Sequence, residues 1–205
     1  MLTPEDIEKN WARFCGLCEK VGDRAPTIKL MLDELDLRLA LCPGSAKKEF
    51  HGAFPGGLVD HSLRVLNKLI VLNKSFGWGL QKDSMIIAAL FHDIGKVGLP
   101  GSDPENDFYV PQQDNWRREK LGEEYMYNNA ITYMTTPDRS VFMMQHYGIK
   151  LSADEWLALK LNDGFVLQEN KAYCLRISPL VNGVMTADYV ATMEEKHVPF
   201  WPTQE

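Results

Sequence analysis

The chain has 205 residues and a net charge of −6, and 45% of its residues are hydrophobic. This apolar fraction argues against a disordered chain, and at about 150 residues per domain the length fits one domain with extensions or two very small ones. The longest apolar run, residues 85–91, is far shorter than the about 20 residues that cross a bilayer. The acidic amino terminus does not resemble a signal peptide. We therefore expect a soluble, cytoplasmic protein with no membrane partner.

The acidic charge balance also bears on partners. With 22 basic against 28 acidic residues, no broad basic face for duplex nucleic acid is evident. A metal site that takes one nucleotide or the end of a single strand remains compatible with this charge, because the metal supplies positive charge locally. The sequence does not indicate an oligomeric state.

The first 48 residues predict two helices. Thr3 and Pro4 are typical of the N-cap and first position of a helix, and apolar residues follow at helical spacing. A second helix is predicted from about Pro26, and Pro43 and Gly44 end it.

A CxxC motif, Cys15 and Cys18, lies on the apolar stripe of the first predicted helix. A zinc site normally needs four clustered ligands, and the sequence has no second CxxC. The motif therefore favours two core cysteines, with a redox or zinc role as the alternative.

The middle of the chain predicts a loop and two helices. Residues 51–57 form a loop by composition. Residues 58–74 present one apolar face at helical spacing. Residues 85–95, capped by Asp83 or Ser84, are apolar nearly all round, which is typical of a helix buried against several neighbours.

The remainder predicts a long loop followed by helices. Residues 98–115 are rich in proline, glycine and aspartate, and one short strand is predicted at 108–110. Helical patterns follow at residues 117–134 and 138–146, after a capping box that starts at Ser152, and at residues 180–195. Because runs of period two are almost absent, the chain is predicted to be all-α.

Four polar residues lie on, or at the end of, otherwise apolar helical segments: His61, His92, Asp93 and Asp188. Such groups are costly to bury unless they are paired or coordinated. A histidine followed by an aspartate at the end of a buried helix allows both side chains to reach one cation. Two imidazoles and two carboxylates suit manganese, iron, cobalt or nickel, and magnesium less well.

The segments around these residues resemble the H…HD…D signature of the HD-domain superfamily of metal-dependent phosphohydrolases. Residues 56–62 resemble the GGL…H segment of one branch, residues 90–96 the HD…GK core, and residues 187–188 the closing AD. That branch includes HD-type 3′–5′ exoribonucleases, whose HD domain is fused to a nucleic-acid-binding OB fold. The resemblance spans residues 49–195.

The resemblance implies an all-α HD-domain helical bundle with a metal site at its centre. Residues 49–195 would form this phosphohydrolase domain. Residues 1–48 would be a helical extension packed on it, and residues 196–205 a C-terminal tail.

The resemblance also implies residue roles. A divalent metal would be bound by His61, His92, Asp93 and Asp188, and a metal-activated water would attack phosphorus. Lys96 would hold phosphate oxygens, unless it is a solvated lysine at a helix end. His146 resembles one histidine of the family's HHG segment, with Tyr147 in place of the next. It is expected to act in catalysis with Asp93 and Lys96.

Further residues are candidates for substrate binding. Arg64 follows His61 by three positions and can face the same site, with a surface ion pair as the alternative. His51 precedes the first ligand in the loop. Arg117, beside Trp116, could touch phosphate while the indole stacks on a base, with an ion pair at the rim as the alternative.

Two more carboxylates could orient the attacking water. Asp163 lies in an Asn-Asp-Gly segment that also fits a turn after a helix. Glu123 also fits a solvated helix face. A shortage of histidines between Asp93 and Asp188 argues against a full binuclear centre.

The leading hypothesis is therefore a metal-dependent phosphohydrolase that hydrolyses a phosphate ester of a small nucleotide. The first alternative is a 3′–5′ exonuclease on single-stranded nucleic acid ends. The second is a non-catalytic, nucleotide-binding sensor with the HD fold.

Overall fold

The computed structural model describes residues 2–196. This part contains eight α-helices and one two-stranded sheet. The helices are α1 (Pro4–Cys18), α2 (Ala25–Ala40), α3 (Gly57–Phe76), α4 (Lys82–Phe91), α5 (Asn115–Leu121), α6 (Thr136–His146), α7 (Ala153–Lys160) and α8 (Pro179–Glu195). The strands are β1 (Tyr109–Pro111) and β2 (Tyr125–Tyr127). The prediction of an all-α fold is confirmed, and within the described residues no helix is long and apolar enough to span a membrane.

Helix α3 is the centre of the fold. It packs against α8 and α4, and also contacts α1 and α2. Its apolar residues, such as Leu66 and Leu69, lie in one continuous hydrophobic core. Helix α4 is buried along almost its whole length, as its lack of a polar face predicts. The helices that carry the candidate ligands are therefore the most deeply packed ones.

The two N-terminal helices were predicted, and the structure gives their packing. The hydroxyl of Thr3 accepts from the backbone N–H of Asp6, and the Asp6 carboxylate accepts from the Thr3 backbone, which forms a capping box. Helix α1 packs on α2, α3 and α4. Cys18 is buried in the core, where burial raises the pKa of its thiol. The division into an extension and a domain at residue 48 stays a prediction, and of the predicted tail only residue 196 lies among the described residues.

Two predicted helix boundaries differ from the structure. Helix α4 begins after Gln81, so Asp83 and Ser84 lie inside its first turn. It ends at Phe91, and His92 is its C-cap residue, because the chain then turns into a short 3₁₀ segment, Ile94–Val97. The predicted helix over residues 85–95 is therefore about one turn too long at its end.

The predicted helix over residues 117–134 is wrong beyond its first turn. Helix α5 stops at Leu121, since Gly122 adopts a left-handed conformation with φ of 62° and its N–H bonds to the Arg117 carbonyl. The following residues form β2, which pairs antiparallel with β1 and places Val110 opposite Met126. The strand predicted at residues 108–110 thus exists, one residue later, but its partner was not predicted.

Candidate metal centre

The loop before α3 sets the position of the first histidine. Gly56 has φ of 80°, and a Cβ on Gly57 would overlap the backbone of Gly52. Only glycine allows two stretches of chain to approach this closely. The tight turn starts α3 beside Cys42, whose carbonyl accepts from the Leu58 N–H at 3.0 Å. His61 then lies one turn into the helix and is fully buried.

The end of α4 positions the His-Asp pair. His92 still has helical backbone angles, whereas Asp93, with φ of −111° and ψ of 12°, has left the helix. Ser140 of α6 fixes this turn: its hydroxyl donates to the His92 carbonyl at 2.9 Å and accepts from the Gly95 N–H at 3.0 Å. A Cβ on Gly95 would overlap the backbone of α6. The close packing of α6 therefore holds the two side chains of the pair in place.

The two histidines and two aspartates meet around one point. His61 Nε2 lies 3.0 Å from Asp188 Oδ1 of α8, and His92 Nε2 lies 3.9 Å from the same oxygen. His92 Nε2 is also 3.5 Å from Asp93 Oδ2. One ligand atom from each of His61, His92 and Asp188 lies within 4.8 Å of the others, a spacing that one metal ion can bridge.

The hydrogen bonds of the imidazoles support a metal as the missing partner. His92 Nδ1 donates to the Ala89 carbonyl at 2.9 Å, which leaves its Nε2 with a free lone pair. His61 Nδ1 pairs with Glu195 Oε1 at 2.8 Å. Both Nε2 atoms are buried and have no hydrogen-bond partner of acceptable geometry. Two such atoms aimed at two carboxylates fit a divalent cation, with Glu195 as the outer partner that orients His61.

The charges of the cluster are strongly coupled. Burial lowers the pKa of His61, but the nearby carboxylates of Asp188 and Glu195 outweigh it and raise the pKa to about 9. Burial raises the pKa of Asp93, but the positive charge of the Lys96 ammonium, which also donates to this carboxylate, outweighs it, so the net pKa is lowered. The carboxylates are therefore ionised, as metal ligands must be, whereas His61 must lose a proton to bind a metal.

Lys96 and His51 also belong to the cluster. Lys96 Nζ lies 2.6 Å from Asp93 Oδ2 and 3.4 Å from His51 Nε2. Burial, with the charges of Lys96 and His61, lowers the pKa of His51 to about 2, so the ring is neutral. His51, His61 and Asp93 form a second group of atoms close enough to hold one ion. The structure thus brings both sequence candidates to the centre.

The other three sequence candidates lie elsewhere or at the edge. Arg64 is exposed, bonds to Asp60 at 2.8 Å and lies 4.0 Å from Glu195. Arg117 is exposed and pairs with Glu123 at 2.8 Å. This is the ion pair that the sequence left as an alternative. Arg117 and Glu123 do not contact the metal cluster.

His146 is also exposed and not part of the cluster. Its ring lies beside Phe142 and Tyr147, at centroid distances of 6.2 and 5.0 Å. It stands at the C-terminal end of α6, two turns beyond Arg139, whereas the N-terminal half of α6 contacts the His-Asp turn. The match to the HHG segment therefore does not carry this histidine into the centre.

Three residues of the centre were not singled out from the sequence. Glu195 follows Asp188 by seven positions, two helical turns, so this spacing could have found it. Thr192, between them, lies 3.5 Å from both Asp188 Oδ1 and His51 Nδ1. Asn162 is buried and donates to Asp93 Oδ1 at 3.1 Å. Asn162 had been noted only as part of a turn, because nothing in its spacing connects it to the distant Asp93.

Asp163, next to Asn162, lies where a cleft meets the centre. Desolvation raises its pKa to about 6, and the negative charge of Asp93 adds to that effect. Of the two carboxylates expected to orient water, this one is near the cluster, and Glu123 is bound to Lys47 and Arg117.

A family model for the HD domain matches residues 58–193. The match covers well over half of the chain, so the chain belongs to the HD domain family. No curated protein and no solved structure matches it significantly. Family and site together indicate a metal-dependent phosphohydrolase that binds a divalent cation. The exoribonuclease-like branch stays a prediction.

Proposed function

We propose that the protein hydrolyses a phosphate ester of a small nucleotide. The observation that carries the proposal is the meeting of two unpartnered, buried Nε2 atoms, on His61 and His92, with the carboxylates of Asp93 and Asp188. No apolar core needs such a group of polar atoms, and unpartnered polar atoms are costly to bury.

These four side chains would hold the cation. When bound, a divalent cation lowers the pKa of a coordinated water and stabilises charge at phosphorus. Glu195 holds the His61 ring through Nδ1, and Asn162 holds Asp93 through Oδ1. These outer contacts fix the orientation of the ligands before substrate arrives.

Lys96 supplies the second positive group. Its ammonium lies against Asp93, and its side chain is 13% exposed. From that position it can donate to phosphate oxygens of a bound ester. His51, which is neutral, accepts from Lys96 and keeps the ammonium near the cluster. Lys96 would thus bind phosphate, and His51 would position Lys96.

The identity of the metal and the class of substrate are open to one experiment. The purified protein is assayed with Mn²⁺, Fe²⁺, Co²⁺, Ni²⁺ or Mg²⁺ against nucleoside monophosphates, diphosphates and triphosphates and a single-stranded oligonucleotide. Asp93→Ala is the test variant, and Asp33→Ala, which removes an exposed carboxylate of α2, is the matched control. We expect phosphate release from nucleotides, retained by Asp33→Ala and lost by Asp93→Ala.

Other outcomes would replace the proposal. Release of mononucleotides from the oligonucleotide alone would establish the exonuclease. Bound metal and bound nucleotide without turnover would establish the sensor. Equal activity of Asp93→Ala and the unchanged protein would contradict a metal-dependent hydrolase.

A further inference from the structure

A cavity of about 470 Å³ lies beside the metal centre, between β2, the loop of residues 128–136 and the start of α6. This volume is in the range of small-molecule sites. Aromatic rings, hydroxyls, an amide and a carboxylate line it: Phe108, Tyr127, Asn129, Thr132, Tyr133 and Asp163. None of these residues is needed to hold a cation at the centre.

The aromatic wall of the cavity is built from the antiparallel β1–β2 pair, here called the hairpin, and from Phe108, which precedes β1. The rings of Phe108 and Tyr127 lie 5.1 Å apart at an interplanar angle of 30°. The guanidinium of Arg139 packs over the ring of Phe108, 4.0 Å from its centroid. Tyr127 is 53% exposed, so its ring is accessible from the cavity. Aromatic rings held in this way suit a flat heterocycle, which stacks on them.

Polar groups occur on the remaining wall. Asn128 is engaged within the loop, since its amide donates to the carbonyls of Glu105 and Asp107. Asn129 follows it and adds an amide to the lining, and Thr132 adds a hydroxyl. Asp163 supplies an acceptor for an N–H group. A few polar groups around an apolar surface are typical of sites that orient a ligand.

The cavity and the metal centre share a wall. Arg139 donates through Nη1 to the Gly95 carbonyl at 2.9 Å, two residues after Asp93, while its guanidinium packs on Phe108. Asp163 of the cavity directly follows Asn162, which contacts Asp93. The cavity is therefore linked to the cation site through Arg139 and through the Asn162–Asp163 segment.

We propose that this cavity holds the base of a nucleotide whose phosphate lies at the metal centre. The proposal rests on the proposed function and adds where the base is held. It commits to an aromatic heterocycle bound between the hairpin and Asp163. A second cavity of about 410 Å³, lined by Leu41 and Lys96 among others, also adjoins the centre. Two tyrosines, Tyr109 and Tyr125, also line it, but both are less exposed than Tyr127 and offer a base a smaller open ring face.

The test compares substrates with and without a base. Activity is measured on nucleoside monophosphates and on ribose 5-phosphate, and binding of the same compounds is measured by calorimetry. Tyr127→Ala removes the accessible ring. Leu41→Ala alters the second cavity, and Tyr173→Ala removes an exposed tyrosine that lines neither one.

We expect Tyr127→Ala to raise KM and Kd for the nucleotides about tenfold, because stacking on one ring contributes that order of affinity. Values for ribose 5-phosphate should not change, and both control variants should behave as the unchanged protein. The selective loss identifies the base as the group that Tyr127 contacts.

Two results would overturn the proposal while leaving phosphohydrolase activity intact. One is equal kcat/KM for nucleotides and ribose 5-phosphate in every variant. The other is a loss of nucleotide affinity in Leu41→Ala but not in Tyr127→Ala. If no compound is hydrolysed but nucleotides bind and Tyr127→Ala weakens them, the base site stands and the proposed hydrolysis fails. Absence of both turnover and binding would contradict both proposals.

Discussion

The metal centre and the cavity beside it are built from different kinds of secondary structure. The ligands of the centre lie on α3, directly after α4 and on α8, and His61 and His92 are fully buried. The wall of the cavity comes from a two-stranded hairpin and a loop, with side chains such as Tyr127 and Tyr133 largely exposed. The candidate metal ligands are thus held by buried helices, whereas the proposed base site lies on a small sheet and a loop.

The physical reason is the cost of misplacing each kind of contact. A buried ligand that moves leaves an uncompensated charge, so rigid helices must hold it. A stacked ring tolerates small shifts, because its affinity depends on contact area more than on direction. Loops on a rigid scaffold accordingly carry specificity in many enzymes.

The largest effect is expected from the loss of a metal ligand, which tests the buried, rigid half of this comparison. His92→Gln removes a buried imidazole nitrogen from the group that His92 forms with His61 and Asp188. Since outer-shell partners of metal ligands are typically worth about 10- to 100-fold in metal affinity, the ligand itself should be worth at least about 100-fold. The measurement is metal content by mass spectrometry after dialysis, with circular dichroism as a check of folding. A folded variant that retains one equivalent of metal would contradict the assigned ligand set.

Arg139 joins the two regions, and removing it should affect both. Its guanidinium is fully buried and donates to the carbonyls of Gly95 and Met134. Arg139→Leu leaves both acceptors without a donor, at about 1 to 3 kcal/mol each. We expect the free energy of unfolding to fall by about 2 to 4 kcal/mol in urea titrations, since removal of a buried charge offsets part of the cost. Arg139→Lys keeps one donor and should lose less. Equal free energies of unfolding for the unchanged protein and both variants would contradict an energetic link between the metal centre and the cavity through Arg139.

The sequence identified much of the centre but little of the cavity. His61, His92, Asp93 and Asp188 stand out because polar residues on apolar helices need an explanation, and their segments match a family signature. Glu195 was within reach, through its helical spacing from Asp188. Asn162 was not, since its contact with Asp93 joins residues almost 70 positions apart. The hairpin was missed because Gly122, inside a stretch of helical pattern, ends α5 and lets Tyr125–Tyr127 pair with β1.

A proton on His61 should weaken metal binding, and in the metal-free protein it should stabilise the fold. The raised pKa of His61, about 9, means that the metal-free protein binds a proton there that a metal must displace. Metal affinity should therefore fall about tenfold per pH unit below 9, or about 100-fold from pH 9 to 7. This pH dependence of the metal affinity is measured by competition with a chelator at a fixed concentration of free metal. An affinity that does not vary over that range would show that His61 is already neutral.

The same proton should stabilise the metal-free fold. A histidine whose pKa is raised in the folded state contributes stability that is fully present below its unfolded pKa, near 6.5, and is lost as pH rises through about 9. Urea titrations in the presence of a chelator should therefore show a free energy of unfolding that falls between pH 6.5 and 9. A rise over that window would contradict the pairing of protonated His61 with Asp188 and Glu195.

A smaller effect is expected from the outer partner of His61. Glu195→Gln keeps the size of the side chain but removes the charge that faces His61 Nδ1. Metal affinity should fall about tenfold, the lower end for such partners. Glu194→Gln is the matched control, because Glu194 is the adjacent residue but pairs with Lys68 instead. Equal losses in both variants would indicate a general effect of negative charge on the metal.

The smallest effect tests whether the centre depends on overall stability. Ser152 caps α7, and its hydroxyl accepts from the Glu155 N–H while the Glu155 carboxylate accepts from the Ser152 N–H. Ser152→Ala should cost about 1 kcal/mol in the free energy of unfolding. Helix α7 leads to Asn162, so a loosened helix could also shift Asp93. Because Asn162 is buried beyond the opposite end of α7 and bonds directly to Asp93, we expect metal affinity to stay within about twofold. A tenfold loss of metal affinity would mean that the rigidity of the metal centre extends to the start of α7. The metal centre and the cavity would then differ less in rigidity than their burial indicates.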